Sequence, residues 1–372
     1  MKLTIERTAL LKSLNHVQNV VERRNTIPIL SNVLIEGVQG GLRLKATDLD
    51  LEAVEAVPAD IAGEGATTVP AHMFYDIVRK LPEGSQVELQ TSEDGASISV
   101  RSGRSRFTLQ TLPKDDFPDL DAGAMGHRFT LSANDLKRLI DKTRFAMSTE
   151  ETRYYLNGIF LHCAETDGLA TLRAVATDGH RLARIELPAP EGSAGMPGII
   201  VPRKTVEQLH RLIEDQEAPV TVEMSDAKIR FTFGQVVLTS KLIDGTFPDY
   251  ARVIPQGNDK RLEVDAARFA QAVDRVSTIS SERGRAVKLN LEGEKLVLSV
   301  NNPDSGSASE EIEVSYSGEA LEIGFNSRYL LDIAGQLDHE TARFDLADPG
   351  SPALVRDVSD EAALYVLMPM RV

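Results

Sequence analysis

Three stretches of this chain follow one template, and an internal repeat constrains a fold more than any other sequence feature. The first is Lys2-Leu3-Thr4-Ile5, followed by Ala9-Leu10-Leu11-Lys12-Ser13-Leu14. The second is Arg128-Phe129-Thr130-Leu131, followed by Asp135-Leu136-Lys137-Arg138-Leu139-Ile140. The third is Arg261-Leu262-Glu263-Val264, followed by Arg268-Phe269-Ala270-Gln271-Ala272-Val273. Aligning Ile5, Leu131 and Val264 also aligns Leu10, Leu136 and Phe269. Each copy is a short alternating strand and then a helix with apolar residues three and four apart. A second template recurs within each unit. Val69-Pro70 precedes Phe74 and Ile77, Val201-Pro202 precedes Val206 and Leu209, and Phe325-Asn326 precedes Leu330 and Ile333. Proline suits a helix start, where its missing donor would have no partner. Ala46-Thr47-Asp48 and Ala176-Thr177-Asp178 sit at matching places in the first two units.

Between these helices run short alternating segments such as Gln86–Gln90, Ser97–Arg101, Val220–Glu223 and Lys295–Val300. Turn dipeptides such as Asp94-Gly95, Asp167-Gly168 and Glu292-Gly293 divide them, as antiparallel hairpins require. Phe117-Pro118-Asp119-Leu120 and Phe247-Pro248-Asp249-Tyr250 close the first two units with a shared tag. The pattern predicts an α+β fold of three repeated domains, 1–124, 125–256 and 257–372. Each carries two helices on antiparallel sheets. A length of 372 residues gives each domain room for its own core.

The lone cysteine, Cys163, excludes an internal disulfide and a multi-cysteine metal site. It flanks the apolar run Gly158–His162 and reads as a strand residue rather than a nucleophile. The start alternates polar and apolar residues without the apolar core of a signal peptide, and no run approaches a membrane span. A reducing, cytoplasmic setting is expected.

A net charge of −15 argues at first against nucleic acid, because phosphate repels an acidic protein. The distribution matters more than the total. Helices expected at 7–21, 71–81, 134–147, 203–213, 265–280 and 326–337 carry a combined +7, leaving −22 elsewhere. In the third of them Leu136, Leu139, Ile140 and Met147 form the apolar stripe, with Lys137, Arg138, Lys142 and Arg144 off it. In the first, Arg7, Lys12 and His16 lie off the stripe. Any one such face is ordinarily just solvated. Segregation over the whole chain points instead to helices that hold phosphates while an acidic exterior repels stray nucleic acid. No helix-turn-helix, zinc finger or aromatic stacking cluster accompanies it, and Trp is absent, so sequence-independent contact is expected.

Five motifs in order resemble the bacterial sliding clamp family, the β subunit of DNA polymerase III. They are Arg101-Ser102-Gly103-Arg104-Ser105-Arg106-Phe107, Arg153-Tyr154-Tyr155-Leu156-Asn157-Gly158, Ala176-Thr177-Asp178-Gly179-His180-Arg181-Leu182, Phe247-Pro248-Asp249-Tyr250 and Met368-Pro369-Met370-Arg371-Val372. Together they cover all three units. The resemblance implies a head-to-tail homodimer, a ring whose helices line a hole around double-stranded DNA. It also implies loading by a clamp loader, and docking of the polymerase III catalytic subunit and of other polymerases and repair factors through short peptides. A cytoplasmic, nucleoid-associated protein with no membrane partner follows.

The resemblance further implies a partner-peptide pocket made by Leu156, Thr177, Gly179, His180, Arg181, Leu182, Pro248, Arg252, Val253, Val366, Met368, Pro369, Met370 and Arg371. Flexible methionines suit a site that accepts several peptides. On residues alone, Met368 and Met370 read as a terminal strand and His180 as a loop histidine. Arg24 is the DNA contact the resemblance supports best, with Tyr154, Arg203 and Lys204 beside it. Lys12 and Lys137 are added from helix charge, and Arg23 rests on charge alone. Glu150 departs from the family pattern, which can place a neutral DNA-touching glutamine there, so that contact is not carried over. The dimer edge is expected near Phe107 and Leu109, against the region of Ile279.

An enzyme and a peptide-binding scaffold are the two rival readings. Catalysis would need more than Asp178-Gly179-His180-Arg181, and no nucleophile motif, metal-spaced histidine pair or phosphate loop accompanies it. No catalytic residue, metal or cofactor is therefore expected. A monomeric peptide-binding scaffold shares the pocket but has no need of helix charge.

Overall fold

A computed structural model describes residues 1–372 apart from 122, 215–216, 281–283 and 339. Among the described residues six α-helices form: α1 Arg7–Gln18, α2 Ala71–Lys80, α3 Ala133–Asp141, α4 Arg203–Ile213, α5 Ala266–Ser277 and α6 Ser327–Ala334. Side-chain caps start four of them. Glu6 accepts from the amide of Ala9, Ser132 from that of Asp135, Asp265 from that of Arg268, and Asn326 from that of Arg328, satisfying donors a helix end leaves orphaned. The aligned template positions are all core: Ile5, Leu131, Val264, Leu10, Leu136 and Phe269 are buried. Each such side chain stabilises the fold by roughly 1.5–3 kcal/mol relative to exposure.

The third helix is shorter than the periodicity predicts. It ends at Asp141, Thr143 turns its hydroxyl back to the carbonyl of Leu139 at 2.6 Å, and a 3-10 turn follows at Arg144–Ala146. Met147 is buried from that turn, not from the helix stripe. Lys142, expected on a solvated face, is buried and held by Asp338 (2.5 Å) and the carbonyl of Gln336. Arg138 pairs with Asp360 at 2.6 Å. With the observed boundaries the helices carry +6, leaving −21 of the −15 total elsewhere. The imbalance persists, but several of its cations are neutralised locally.

Packing divides the chain into two compact units. One contains Met1–Lys137, Pro190–Ser193 and Lys204–Leu242; the other contains Arg138–Ala189, Ala194–Arg203 and Ile243–Val372. The first holds a five-stranded and an eight-stranded sheet, the second a nine-stranded and a four-stranded one, all antiparallel. Two pairings join strands of different repeats into continuous sheet: Val236–Lys241 with Leu51–Val57, and Arg181–Pro188 with Asp360–Leu367. The repeats were legible in sequence, whereas this fusion across them was not.

The shared tag anchors chain at the end of a repeat. Asp119 is gripped by buried Lys45, which also reaches Glu52 at 3.1 Å, and the amide of Leu120 donates to Glu52. In the second copy Phe247 is buried and stacks on Phe160 with centroids 4.8 Å apart. Cys163 lies in the strand Gly158–Thr166. Among the described residues no helix is long and apolar enough to cross a membrane.

Candidate functional site

The second unit carries an apolar floor. Leu156, Val175, Leu182, Ile200, Phe247, Tyr250, Leu354, Leu364 and Val366 form one buried cluster, with Tyr155, Phe160, Ile243 and Ile254 packed against it. Strand alternation explains its origin. Leu182 pairs with Val366, and Val366 with Leu354, so three adjacent strands point apolar side chains to one face. Beside this floor Met368, Val253 and Tyr154 are 40%, 50% and 52% exposed, and Pro248 is exposed. Exposed apolar side chains next to a buried apolar bed are the composition of a docking site.

The turn Thr177–Arg181 borders the floor. Thr177 Oγ1 donates to the carbonyl of Arg181 (2.7 Å), and Asp178 Oδ1 accepts from the amides of His180 and Arg181. Gly179 has φ +88°, which favours glycine, and a Cβ there would stand 2.4 Å from Arg153 Nη1, so a larger residue would have to displace that guanidinium. Arg153 is held in that position by a two-pronged pair with Glu150 at 2.7 and 2.9 Å. That hydrogen bonding holds the Glu150 carboxyl below the usual carboxylate range. Glu150 is thereby occupied within its own loop. The terminal segment closes the border, as the amide of Met368 donates to the carbonyl of His180 and that of Met370 to the carbonyl of Gly324. Val372 then lies so near Gly324 that a Cβ there would be 2.3 Å from Val372 Cγ1.

All fourteen expected pocket residues lie in the second unit, but not all offer side chains. Arg181 is buried. Its guanidinium donates to Asp332 (2.5 Å), to Asp178 (3.2 Å) and to the carbonyl of Phe145 (2.7 Å), and it stacks over the ring of Tyr329. It positions the turn and presents no free charge. Thr177 spends its hydroxyl within the turn. His180 is exposed and lies over Tyr329 at 6.3 Å between centroids. Arg252 is exposed and pairs with Asp249 at 2.8 Å. Pro369 and Met370 are half-buried, and Arg371 is exposed. Asp332 and Tyr329, which hold Arg181 in place, were missed in the sequence because they lie about 150 residues away on α6.

The expected DNA contacts separate into two groups. Lys12, Arg24 and Tyr154 are exposed, and Lys137 is half-buried. Arg203 donates to the carbonyls of Met147 and Ser148, clasping the loop after α3. Lys204 reaches Glu22, Asp48 (2.5 Å) and the carbonyl of Val20. These two side chains already have partners, because two basic residues at a helix start meet carbonyls and acids brought by the neighbouring loops. At the expected dimer edge, Phe107 is 37% exposed on Ser105–Gln110, an outermost strand of the five-stranded sheet, while Leu109 is buried. Gly306–Glu313 is an outermost strand of the four-stranded sheet, and the half-buried Ile279 accepts from Asn302 nearby. Among the described residues no group of three metal-binding side chains occurs.

Three family models match the chain in order: the N-terminal domain of the DNA polymerase III beta subunit at residues 1–121, its central domain at 130–249 and its C-terminal domain at 251–371. The chain belongs to the beta sliding clamp family. The beta sliding clamp of Caulobacter vibrioides is 55% identical over 372 residues, and that of Escherichia coli K12 is 44% identical, each match covering all of both chains. A crystal structure of the Bartonella birtlesii sliding clamp bound to griselimycin superposes with a TM-score of 0.97 at 57% identity, covering all of both chains. The Pseudomonas aeruginosa clamp, also bound to griselimycin, gives 0.95 at 44% identity, again over all of both chains. The fold is thus the three-domain clamp fold, and the family is a non-catalytic processivity subunit.

Proposed function

We propose that two copies of this chain close head to tail into a ring around duplex DNA and tether replication proteins there. The observation carrying this reading is the clamp-family match over all 372 residues of both chains. Two outermost strands support the closure. Ser105–Gln110 sits among Arg101, Arg104 and Arg106, and Gly306–Glu313 bears Glu310, Glu311 and Glu313. Opposite charge on two open edges favours their pairing between copies and removes the hazard an open edge presents. Phe107 and the region of Ile279 belong to that junction, with Leu109 behind it in the core.

The three domains of the ring are 1–124, 125–256 and 257–372. DNA is held without sequence reading through Lys12, Arg24, Lys137 and Tyr154, while Arg203 and Lys204 support the loops behind them. Enclosure replaces affinity, which is how a chain of net charge −15 stays on DNA. The apolar bed of Leu156, Leu182 and Val366, with Met368, Val253 and Pro248, receives short peptides of the polymerase III catalytic subunit, the clamp loader and other polymerases or repair factors. The work is cytoplasmic, on the nucleoid.

Sedimentation of the pure protein tests the closure. A mass near twice 40.7 kDa is expected; a monomer at micromolar concentration overturns the ring. Deleting Met368–Val372 tests the pocket. Loss of griselimycin binding with the dimer intact is expected, and unchanged binding refutes the assignment.

A further inference from the structure

Beside the apolar bed, on the same sheet face, lies a row of cations that the clamp reading leaves without a task. Along the strand Arg181–Pro188, Leu182, Arg184 and Glu186 point to one side, successive members about 7 Å apart. On the strand Ala353–Asp357, Arg356 sits at an irregular step of the pairing, between Val355 and Asp357, and its charge acts on Arg184. Arg184 pairs in register with Leu364, and Arg356 follows Val355, which pairs with Tyr365. Arg184 therefore lies beside Leu364, itself a member of the apolar cluster, with Arg356 near enough to Arg184 for the two charges to repel.

Their hydrogen bonding is incomplete. The Nε atoms of Arg184 and Arg356 are both buried, and neither has a partner among the described residues. The nearest acid, Glu186, is already taken by Arg173 at 2.7 Å and stands 3.9 Å from Arg184. Thr166 and the Tyr250 hydroxyl occupy the rest of Arg173. Burial pulls the guanidinium pKa of Arg184 down, Glu186 opposes that, and Arg173 and Arg356 add to it. Arg173 and Arg184 thus share one carboxylate, with Arg356 adding a third positive charge close by, in a chain that is otherwise strongly acidic. A buried cation with unmade hydrogen bonds is costly until an anion arrives.

We infer that Arg184 and Arg356 form a cationic subsite that takes an acidic side chain of a peptide docked on the neighbouring apolar bed. The inference rests on the peptide-pocket reading and adds its chemistry: the ligand carries a carboxylate beside its apolar anchors. A carboxylate seated between the two guanidiniums makes charge-assisted hydrogen bonds that neither now has. It also relieves the repulsion among Arg173, Arg184 and Arg356.

Four synthetic peptides, acetylated and amidated so that only side chains bear charge, test this. All share two large apolar residues, and they carry Glu or Gln at the flank on one side or the other. Fluorescence anisotropy should find one Glu peptide about tenfold tighter than its Gln twin at low salt, with the gap narrowing at high salt. The double variant Arg184→Gln, Arg356→Gln should bind both twins alike. The double variant Arg184→Lys, Arg356→Lys keeps the charge in a similar volume and should retain a preference of a few fold, so a misfolded Gln variant does not spare the proposal. Equal binding of the Glu and Gln twins by the unaltered chain overturns the subsite and leaves the pocket standing. Failure of every peptide, and of griselimycin, to bind overturns the pocket reading instead.

Discussion

Thr47–Leu51 in the first unit and Thr177–Arg181 in the second fold through one set of hydrogen bonds. In each, the threonine hydroxyl donates to the carbonyl four residues on, at 2.9 and 2.7 Å. In each, the aspartate Oδ1 accepts the amides two and three residues on. Both place the residue after the aspartate at positive φ, Leu49 at +79° and Gly179 at +88°. The surroundings separate them. Asp48 receives Lys204 from α4. Asp178 receives Arg181 from its own turn, and Arg181 ties that turn to Asp332 and Tyr329 of α6, next to the apolar floor. A repeated backbone motif is therefore no guide to a site by itself. The side chains that converge on it decide its role.

The two turns differ most at their cations. Arg181 is buried and has three acceptors, so Arg181→Ala should cost about 3–5 kcal/mol of stability and abolish griselimycin binding. Lys204 is half exposed and screened by solvent, so Lys204→Ala should cost only about 1 kcal/mol and leave griselimycin binding intact. Urea unfolding of the two variants reads both values, and equal losses would show that the turns are energetically alike.

A smaller, pH-dependent effect belongs to the second turn's side of the molecule. His162 donates from Nδ1 to the carbonyl of Cys163 and accepts at Nε2 from the Tyr250 hydroxyl, at 3.0 and 2.9 Å. Burial first, and then Arg173 and Arg184, hold its pKa below the ordinary 6.5. As pH falls through about 6.5, the unfolded chain takes up this proton before the folded one. The contribution is therefore intact above that pH and is lost on going down toward the folded value. Thermal melts of the unaltered chain should fall more steeply below pH 6.5 than those of His162→Gln; parallel curves would contradict this.

The smallest effect is at Leu49. A leucine in the left-handed region costs about 1 kcal/mol or more, and glycine returns part of the gain as unfolded-state entropy. Leu49→Gly should leave stability unchanged or raise it by up to about 1 kcal/mol, whereas Gly179→Ala should lower it, having no room beside Arg153. A stability loss at Leu49→Gly above about 1 kcal/mol would mean the exposed leucine packs in a way its turn does not indicate.

Much of the fold was legible because it lies in periodicity. Ile5, Leu131 and Val264 align in the sequence, and all three are buried. The end of α3 was not legible, because Lys142 and Arg144 continue the helical spacing and only the Thr143 hydroxyl turning back on Leu139 stops it. The pocket residues were reached through family resemblance, since nothing local distinguishes Leu182 or Val366 from any core strand residue. The use of each cation was the least legible. Arg203, Lys204 and Lys142 all read as available charge, yet each of them, like Arg181 of the expected pocket, meets acceptors brought by segments distant in sequence. Formal charge counts are robust to such pairing, and single-residue assignments are not.

In the proposed ring, threading rather than adhesion keeps the protein on DNA. The direct measurement is retention after loading by a clamp loader onto nicked circular duplex DNA, followed by cutting the circle. Protein that stays on the closed circle and escapes within minutes of linearisation is the predicted result, with Lys12→Ala altering the salt dependence of loading but not the escape. Equal retention on circular and linear DNA would mean that the chain grips duplex by contact, and the enclosing ring would have to be abandoned.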